Sequence, residues 1–370
     1  MRNSLHDGMN RSLFTNPLAV KLSERLTSRT LLRRYFLTKT LAGAFCCVQA
    51  QEAFAYHRKQ EHFQQPREHS SEGYAHFLEN IYHEAQSQGI SSDILKESFA
   101  LTTRPNPRVL HAERHQAEFT LSWSRYRDRV LTEAKFTQGL NAVRENASLL
   151  SSVSALYGVN QGIIAGIWGI ESAYGTYMGE FHVIDALATL AYASKRSSFF
   201  RGELFKALFI LNQGTITPEK MLGSYAGAMG QPQFMPSTYL RYAVSYPTRQ
   251  EQGSDIWYNK GDVFASIAHY LAQCGWKTGD RWGQAVVIPE TLPQNQLGRQ
   301  YIQPISWWKQ QGVKPLSGDF LNPEQHAALI RPDGIGGSSF LVYHNFNVIR
   351  RYNPSDFYAL AVCLLGDALG

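Results

Sequence analysis

The sequence has few of the features that would assign it a function at first sight. Only four of its 370 residues are cysteines, and its twelve histidines are scattered, with no CxxC or HExxH spacing. Those spacings are typical of metal sites, so we predict neither a metal nor another cofactor. Charged residues make up 18% of the chain against 44% hydrophobic residues, which excludes an intrinsically disordered protein. The chain contains no internal repeat.

The positive charge of the chain is concentrated at its N-terminus. The formal net charge is +6, but residues 1–55 alone carry +5, from eight Lys or Arg and three acidic residues. Residues 56–370 therefore carry a net charge of only +1. Because nucleic-acid-binding proteins need a basic surface to neutralise phosphates, we expect no nucleic-acid or nucleotide partner.

The basic N-terminus is typical of an export signal. Arg33 and Arg34 precede a short apolar run, residues 40–48, which is followed by two small-x-small sites. This order predicts a twin-arginine signal and a periplasmic location. The run is too short to span a bilayer as an anchor, and the bulky residue before Cys46 makes lipid attachment the weaker interpretation. A disordered basic tail is the alternative.

Two of the four cysteines lie in this signal. The other two, Cys274 and Cys363, lie inside apolar helical patterns. Such positions suit buried free thiols at least as well as a disulfide, so both states stay open at this point.

The pattern of apolar residues divides the chain after the export signal into successive regions and predicts a mainly α (α+β) fold. A polar linker at 56–73 precedes a helical domain at 74–157, where apolar residues recur at helical spacing. Helical patterns continue through 158–276 and return at 341–370. Between them, residues 277–340 alternate short apolar runs with Pro, Gly and Asn, which predicts a small β domain.

One carboxylate stands at the end of an apolar helical pattern, GIIAGIWGIESAYG, residues 162–175. At helical spacing, Glu171 shares a face with Ile164 and Ile167. Removal from water disfavours the ionised form of a carboxyl group, and a glutamate held neutral near pH 7 can act as a general acid. A structural glutamate satisfied by a partner at the helix end is the alternative.

A second stretch, residues 223–237, is dense in residues that bend the backbone. It reads GSYAGAMGQPQFMPS, with three glycines and two prolines in fifteen residues. Such a composition favours a tight loop whose backbone can approach a ligand closely. Ser224 and Gln233 supply a hydroxyl and an amide to this loop. A purely structural turn is the alternative.

Three motifs in this order resemble the MltB family of lytic murein transglycosylases. They are GIWGIESAYG at 166–175, DALATLAY followed by RGEL at 185–204, and GSYAGAMGQPQFMPSTY at 223–239. The similarity extends from about Tyr74 to the C-terminus. It implies a lysozyme-like helical core at 158–276 and 341–370, an additional helical domain, and a small β domain inserted before the final helix.

By this resemblance, Glu171 corresponds to the catalytic acid of the family. The residues implied to line the glycan cleft are Tyr126, Phe200, Ser224, Gln233, Tyr270, Tyr352, Asn353 and Tyr358. All of them except Phe200 carry a hydroxyl or an amide suited to sugar binding. At Phe200 a tyrosine would be usual in the family.

The resemblance also implies the reaction, which is cleavage of the β-1,4 bond between N-acetylmuramic acid and N-acetylglucosamine in peptidoglycan glycan strands. Glu171 would protonate the glycosidic oxygen and then accept the proton of the muramyl 6-hydroxyl, which closes a 1,6-anhydro ring. Ser224 or Asn353 would orient the N-acetyl group of the substrate. An ordinary glycosidase needs a second carboxylate, and the acids nearest in sequence, Glu180 and Asp185, do not suit that role.

One departure from the family concerns calcium. Where members often carry an acidic, glycine-rich calcium loop, residues 245–254 read SYPTRQEQGS, and of the family's pattern of oxygen ligands only Asp262 is left at the end. Calcium needs six to eight oxygen ligands, which this loop does not supply, so we predict no calcium there.

Two other functions remain open. A lysozyme-like murein hydrolase would use water in place of the 6-hydroxyl, and a glycan-binding protein would use the same cleft without catalysis. The sequence identifies no protein partner in cell-wall synthesis or division.

Overall fold

The structure is a computed structural model. It describes residues 71–115, 121–247, 253–320 and 322–370. The predicted export signal and residues 56–70 of the predicted linker lie outside the described residues.

The described chain is mostly helical with a small sheet, which confirms the predicted fold class. The helices, in chain order, are α1 (Ser71–Ser87), α2 (Ser92–Ala100), α3 (Pro107–His115), α4 (Trp123–Val130), α5 (Glu133–Glu145), α6 (Ala147–Tyr157), α7 (Gln161–Ser172), α8 (Val183–Ala193), α9 (Ser197–Asn212), α10 (Pro236–Tyr242), α11 (Lys260–Gln273), α12 (Ile305–Gln310), α13 (His344–Tyr352) and α14 (Asp356–Leu369). The strands are β1 (Phe181–His182), β2 (Leu222–Gly223), β3 (Gly283–Val287), β4 (Ile302–Pro304), β5 (Lys314–Pro315), β6 (His326–Ile330) and β7 (Ser339–Val342).

Two predicted boundaries differ from the structure. The linker predicted to extend to residue 73 ends earlier, because α1 begins at Ser71 with the acidic Glu72 in its first turn, where a negative charge favours the helix. The predicted β domain ends too early, because β7 pairs with both β3 and β6 and continues to Val342. The same region contains the short helix α12, which the sequence did not indicate. The other domain boundaries stay predictions.

The apolar character of α7 follows from its central position. It contacts α5, α6, α11 and α14, and ten of its residues are buried, so it is apolar on almost every side. In the described residues, no single helix is both long and apolar enough to cross a membrane. The pair α6 and α7 reaches that length and apolarity together but is bent by 113° at its junction.

Glycines set the distance between α7 and α14. A Cβ atom added at Gly162 would lie 2.2 Å from the carbonyl oxygen of Gly366, and one added at Gly166 would lie 2.8 Å from that of Val362. Only residues without a Cβ permit this close approach of two backbones. The helices run antiparallel, so the end of α7 meets the first turns of α14.

The second region of the fold is an antiparallel sheet with strand order β4-β6-β7-β3-β5. Along β6, Ala327 and Leu329 pack with α12 in a small separate core, whereas Ala328 and Ile330 pack on the main core. Because alternate side chains of a strand point to opposite faces, the sheet is held between the helical core and α12.

Two polar contacts join this sheet region to the helices. Asp333, between β6 and β7, accepts hydrogen bonds from the backbone N–H of Ser124 through both carboxylate oxygens, at 2.9 and 3.2 Å. Ser124 lies in the first turn of α4, where a negative charge is favourable. Arg299 forms an ion pair with Asp356 in the first turn of α14, at 2.9 Å. The sheet therefore lies beside the N-terminal ends of both helices.

The two cysteines in the described chain are free thiols. Cys363 is buried in α14, and Cys274 is half-buried at the end of α11. Of the two states left open by the sequence, the structure has the unpaired one.

Candidate active site

Glu171 lies in the last turn of α7 and is only 3% exposed. Burial removes water from the carboxyl group and raises its pKa from 4.5 to about 8. A hydrogen bond from Tyr358 and the positive charge of Lys135 lower the pKa, but they do not outweigh the loss of water. Glu171 is therefore protonated at neutral pH.

Tyr358 brings a hydrogen-bond donor from α14 to this carboxyl group. Its hydroxyl donates to Oε1 of Glu171 at 2.6 Å. The position of Tyr358 is set locally, because the Ser355 hydroxyl caps α14 by accepting from the Tyr358 backbone N–H at 3.4 Å. Since Oε1 accepts from Tyr358, we assign the proton of the neutral carboxyl group to Oε2.

Lys135, in α5, belongs to the site although the sequence did not indicate it. Its ammonium donates to the carbonyl oxygen of Gly169 at 2.8 Å, two residues before Glu171. Its backbone carbonyl accepts from the Tyr174 hydroxyl at 3.1 Å, three residues after Glu171. Lysine at a helical position is usually solvated, so only the packing of α5 on α7 identifies this one.

The chain after Glu171 turns sharply through three consecutive residues with left-handed backbone. Ala173, Tyr174 and Gly175 have φ of 48°, 60° and 80°, and this conformation costs roughly 1–2 kcal/mol for each non-glycine residue. Packing offsets the cost, because the Tyr174 ring occupies space that a Cβ atom at Gly139 or Gly169 would fill. The turn therefore ends α7 just after Glu171 in the chain.

The loop at 223–237 is braced by its own side chains. The Ser224 hydroxyl accepts from the backbone N–H of Ala228 at 3.0 Å. Gln233 has a left-handed φ of 50°, and its amide nitrogen donates to the carbonyl oxygens of Met178 and Gly230, both at 2.9 Å. Both amide hydrogens are thus used, and the Gln233 side chain can interact with a ligand through its carbonyl oxygen.

Gln231 joins this loop to α7, a role that the sequence did not indicate. Its side-chain carbonyl oxygen accepts from the Trp168 indole N–H at 2.7 Å, and its amide nitrogen donates to the carbonyl oxygen of Trp257 at 2.7 Å. Both partners of the indole hydrogen bond are buried. The loop is therefore fixed to α7 one turn before Glu171.

Tyrosines from α11 and α13 form an aromatic group beside Tyr358. Tyr352 stacks on Tyr358 with ring centroids 6.4 Å apart, and its hydroxyl donates to the carbonyl oxygen of Pro232 at 2.6 Å. Tyr270 packs edge-on against Tyr352 at 4.8 Å, and its hydroxyl donates to the carbonyl oxygen of Arg351. These two hydroxyls hold the loop and α13 in place around the site.

Tyr126 and Asn353 lie on the two sides of this group. The half-buried Tyr126 packs against Trp123 and Phe357, at 6.1 and 5.7 Å between ring centroids. Asn353 accepts from the backbone N–H of Ser355 at 3.0 Å. In the described part of the chain its side-chain nitrogen has no protein acceptor, so this amide can donate to a ligand.

Phe200 differs from the other predicted site residues. It is 1% exposed in α9, and its ring lies under the Arg196 guanidinium at 4.9 Å and against Phe199 at 5.2 Å. Among the described residues, these ring contacts do not involve any other predicted site residue. A role for Phe200 in lining the glycan cleft stays a prediction.

The acids nearest to Glu171 in sequence are engaged elsewhere. Glu180 is exposed and forms an ion pair with Arg108, and Asp185 accepts from the Asn106 amide at 2.6 Å. No carboxylate of the described residues contributes to the pKa of Glu171.

At the family's calcium position, the acidic residue Asp262 is engaged in hydrogen bonds within the protein. The Asp262 oxygens Oδ1 and Oδ2 accept from the backbone N–H groups of Tyr246 and Asp255, at 2.8 and 2.7 Å. The carboxylate therefore ties together the two ends of the loop. The described residues also contain no group of three or more His, Cys, Asp or Glu that could hold a metal ion. The absence of calcium stays a prediction.

The chain is similar to known proteins in sequence. Residues 73–367 match the family described as transglycosylase SLT domain. Membrane-bound lytic murein transglycosylase B of Escherichia coli (strain K12) is 35% identical over 250 residues, which cover 67% of this chain and 67% of that protein.

The chain is also similar to solved protein structures. Crystal structures of SltB3 from Pseudomonas aeruginosa, in complex with NAG-NAM-pentapeptide or NAG-anhNAM-pentapeptide, match with a TM-score of 0.76 and 37% identity, over 80% of this chain and 79% of that chain. Soluble lytic transglycosylase SltB1 from Pseudomonas aeruginosa matches with a TM-score of 0.68 and 30% identity, over 80% of this chain and 98% of that chain.

Proposed function

Because the chain belongs to the transglycosylase SLT domain family and is a lytic murein transglycosylase with a lysozyme-like fold, we propose that Glu171 alone performs its acid and base steps. The products would be glycan strands that end in 1,6-anhydromuramic acid. The observation that carries this proposal is the buried, protonated Glu171, whose Oε1 accepts a hydrogen bond from Tyr358. Among the described residues, no second carboxylate contributes to its pKa.

The first step is proton donation. Oε2 of Glu171 gives its proton to the oxygen between N-acetylmuramic acid and N-acetylglucosamine, the bond from that oxygen to the muramyl C1 breaks, and the N-acetylglucosamine end leaves as an alcohol. Positive charge develops at C1, where the substrate's own N-acetyl oxygen stabilises it. Asn353 is suited to orient that group through its side-chain nitrogen, and Ser224 through its hydroxyl.

The second step returns the proton. The ionised Glu171 accepts the proton of the muramyl 6-hydroxyl while the 6-oxygen bonds to C1, which closes the anhydro ring and regenerates the neutral acid. No water is consumed. The complex of the relative SltB3 with NAG-anhNAM-pentapeptide supports this type of product.

Product analysis tests the proposal against a hydrolase that uses water. Purified sacculi are digested with the wild type, and the released muropeptides are identified by mass spectrometry. We expect anhydromuropeptides, which are lighter by one water than the products of hydrolysis. Reducing muramic acid ends as the main product would contradict the proposal.

We also propose that the protein is exported to the periplasm, where its substrate lies. The support is the pair Arg33 and Arg34 before a short apolar run. Replacing both arginines with lysine should retain the protein in the cytoplasm, as judged by cell fractionation. Unchanged export of this double variant would contradict a twin-arginine signal.

A further inference from the structure

We propose that Lys135 is a positioning residue that stabilises the ionised form of Glu171 between its two proton transfers. The inference rests on the proposed function, in which Glu171 is first an acid and then a base. Lys135 does not contact the substrate in this scheme and acts only through Glu171.

Lys135 is attached to the chain on both sides of Glu171. Its ammonium donates to the carbonyl oxygen of Gly169 at 2.8 Å, and its own carbonyl accepts from the Tyr174 hydroxyl at 3.1 Å. Gly139, one turn after Lys135 in α5, leaves the space that the Tyr174 hydroxyl occupies, since a Cβ atom there would lie 2.3 Å from it. The same strained turn thus places both the carboxylate and the ammonium.

The ammonium also lies at the C-terminal end of α7. The free carbonyl groups at that end of a helix carry partial negative charge, which favours a cation. The lysine is therefore held where its charge can stabilise two negative groups. It interacts with the helix end at all times and with the carboxylate whenever Glu171 is ionised.

Among the described residues, one tyrosine and one lysine act on the pKa of Glu171. Tyr358 faces it from α14, with Tyr352 of α13 and Tyr126 of α4 behind, and burial raises the pKa of Tyr358 well above its ordinary value. Lys135 of α5 is the cation in this set, and its charge lowers the pKa of Glu171.

Two opposed effects therefore act on one carboxyl group. Burial keeps Glu171 protonated in the resting enzyme, as an acid must be. After the proton has left, an isolated carboxylate in the protein interior would be costly, and the nearby ammonium reduces that cost. Without Lys135 the acid would hold its proton more tightly and would release it more slowly.

Three variants of Lys135 separate its charge from its hydrogen bond. Lys135→Arg keeps both, Lys135→Gln keeps a donor without charge, and Lys135→Met keeps only the aliphatic chain. The measurement is the pH profile of kcat and KM for cleavage of purified glycan strands. In the wild type, the alkaline limb reports the loss of the proton from Glu171.

We expect the two neutral variants to shift the alkaline limb to higher pH by about one unit. Their kcat at neutral pH should fall about tenfold, which corresponds to one pKa unit, with KM unchanged. Lys135→Arg should retain the wild-type profile. If Lys135 only braces the turn, Lys135→Gln will keep the wild-type pH profile and all three variants will differ only in thermal stability, which would overturn the proposal.

The outcome is separable from that of the proposed function. If Glu171→Gln still cleaves murein, the assignment of Glu171 is wrong and the role of Lys135 falls with it. If Glu171→Gln is inactive but Lys135→Gln has an unshifted profile, only the role of Lys135 is contradicted. Should Lys135→Met fail to fold, Lys135→Gln against Lys135→Arg still decides the question.

Discussion

Two regions of the molecule gather polar side chains, and they differ in their exposure to water. A cleft of about 420 Å³ beside the sheet and the start of α13 is lined by groups that include Asp280, Glu324, His326 and His344, all exposed. The site at the end of α7 has one carboxyl group, Glu171, at 3% exposure. Water solvates the carboxylates of the open cleft, whereas burial holds Glu171 neutral. An open polar cavity is thus a poorer guide to acid catalysis than one buried carboxyl group with defined partners.

The largest expected effect is the difference in activity between a substitution in the buried site and one in the open cleft. Glu171→Gln should reduce murein cleavage by about 10³-fold, because the amide can neither donate nor accept the proton in transfer. The matched change in the cleft, Glu324→Gln, should leave the rate within about twofold, as for a surface substitution. Initial rates on purified sacculi measure both. A comparable loss in Glu324→Gln would show that the cleft is part of the catalytic machinery.

The second effect concerns stability. Between pH 4.5 and about 8, folded Glu171 holds a proton that the unfolded chain releases, so its burial costs more stability as the pH rises. Glutamine is neutral in both states. Glu171→Gln should therefore be more stable than the wild type by on the order of 3 kcal/mol at pH 7, with little difference at pH 4.5.

Denaturant unfolding at the two pH values measures this difference. The control is Asp280→Asn in the open cleft, for which we expect a change within about 0.5 kcal/mol at either pH. An equal gain for Glu171→Gln at pH 4.5 and pH 7 would show that packing, and not the proton, is responsible.

A smaller effect should distinguish two neighbouring tyrosines. Tyr358→Phe removes the hydroxyl that donates to Glu171, so the pKa of Glu171 should rise and kcat should fall about tenfold, or about 1.4 kcal/mol. Tyr352→Phe removes a hydroxyl that donates to the carbonyl oxygen of Pro232 and should leave the alkaline limb of the pH profile in place. A shift of that limb in both variants would contradict a specific role for Tyr358.

The smallest expected effect is that of a chelator. Asp262 already accepts two backbone N–H groups, so EDTA should change neither murein cleavage nor the melting temperature. Loss of activity in EDTA that added calcium restores would contradict the predicted absence of the calcium site.

The sequence was sufficient where the signal is local. Helical spacing places Glu171 among isoleucines, which indicated its burial, whereas its role as the catalytic acid was implied by the resemblance to the family. The density of glycine and proline indicated the loop at 223–237. The mainly helical fold and the presence of a small sheet were likewise predicted from the spacing of apolar residues. Each of these features depends on residues close to one another in the chain.

The sequence was insufficient where a contact depends on packing. Lys135 reaches Gly169 across 34 positions, and the Trp168–Gln231 hydrogen bond spans 63, so neither contact has a local pattern. The strands β1 and β2 have two residues each, too few for an alternation to be visible. Burial of Phe200 likewise follows from the packing of α9.

The proposed mechanism depends on the protonation state of Glu171, which titration of its side-chain carboxyl carbon by ¹³C NMR measures directly. The signal can be assigned by its absence from Glu171→Gln. We predict a midpoint near pH 8. A midpoint near 4.5, the ordinary value, would mean that Glu171 is ionised in the resting enzyme and would contradict its role as the general acid.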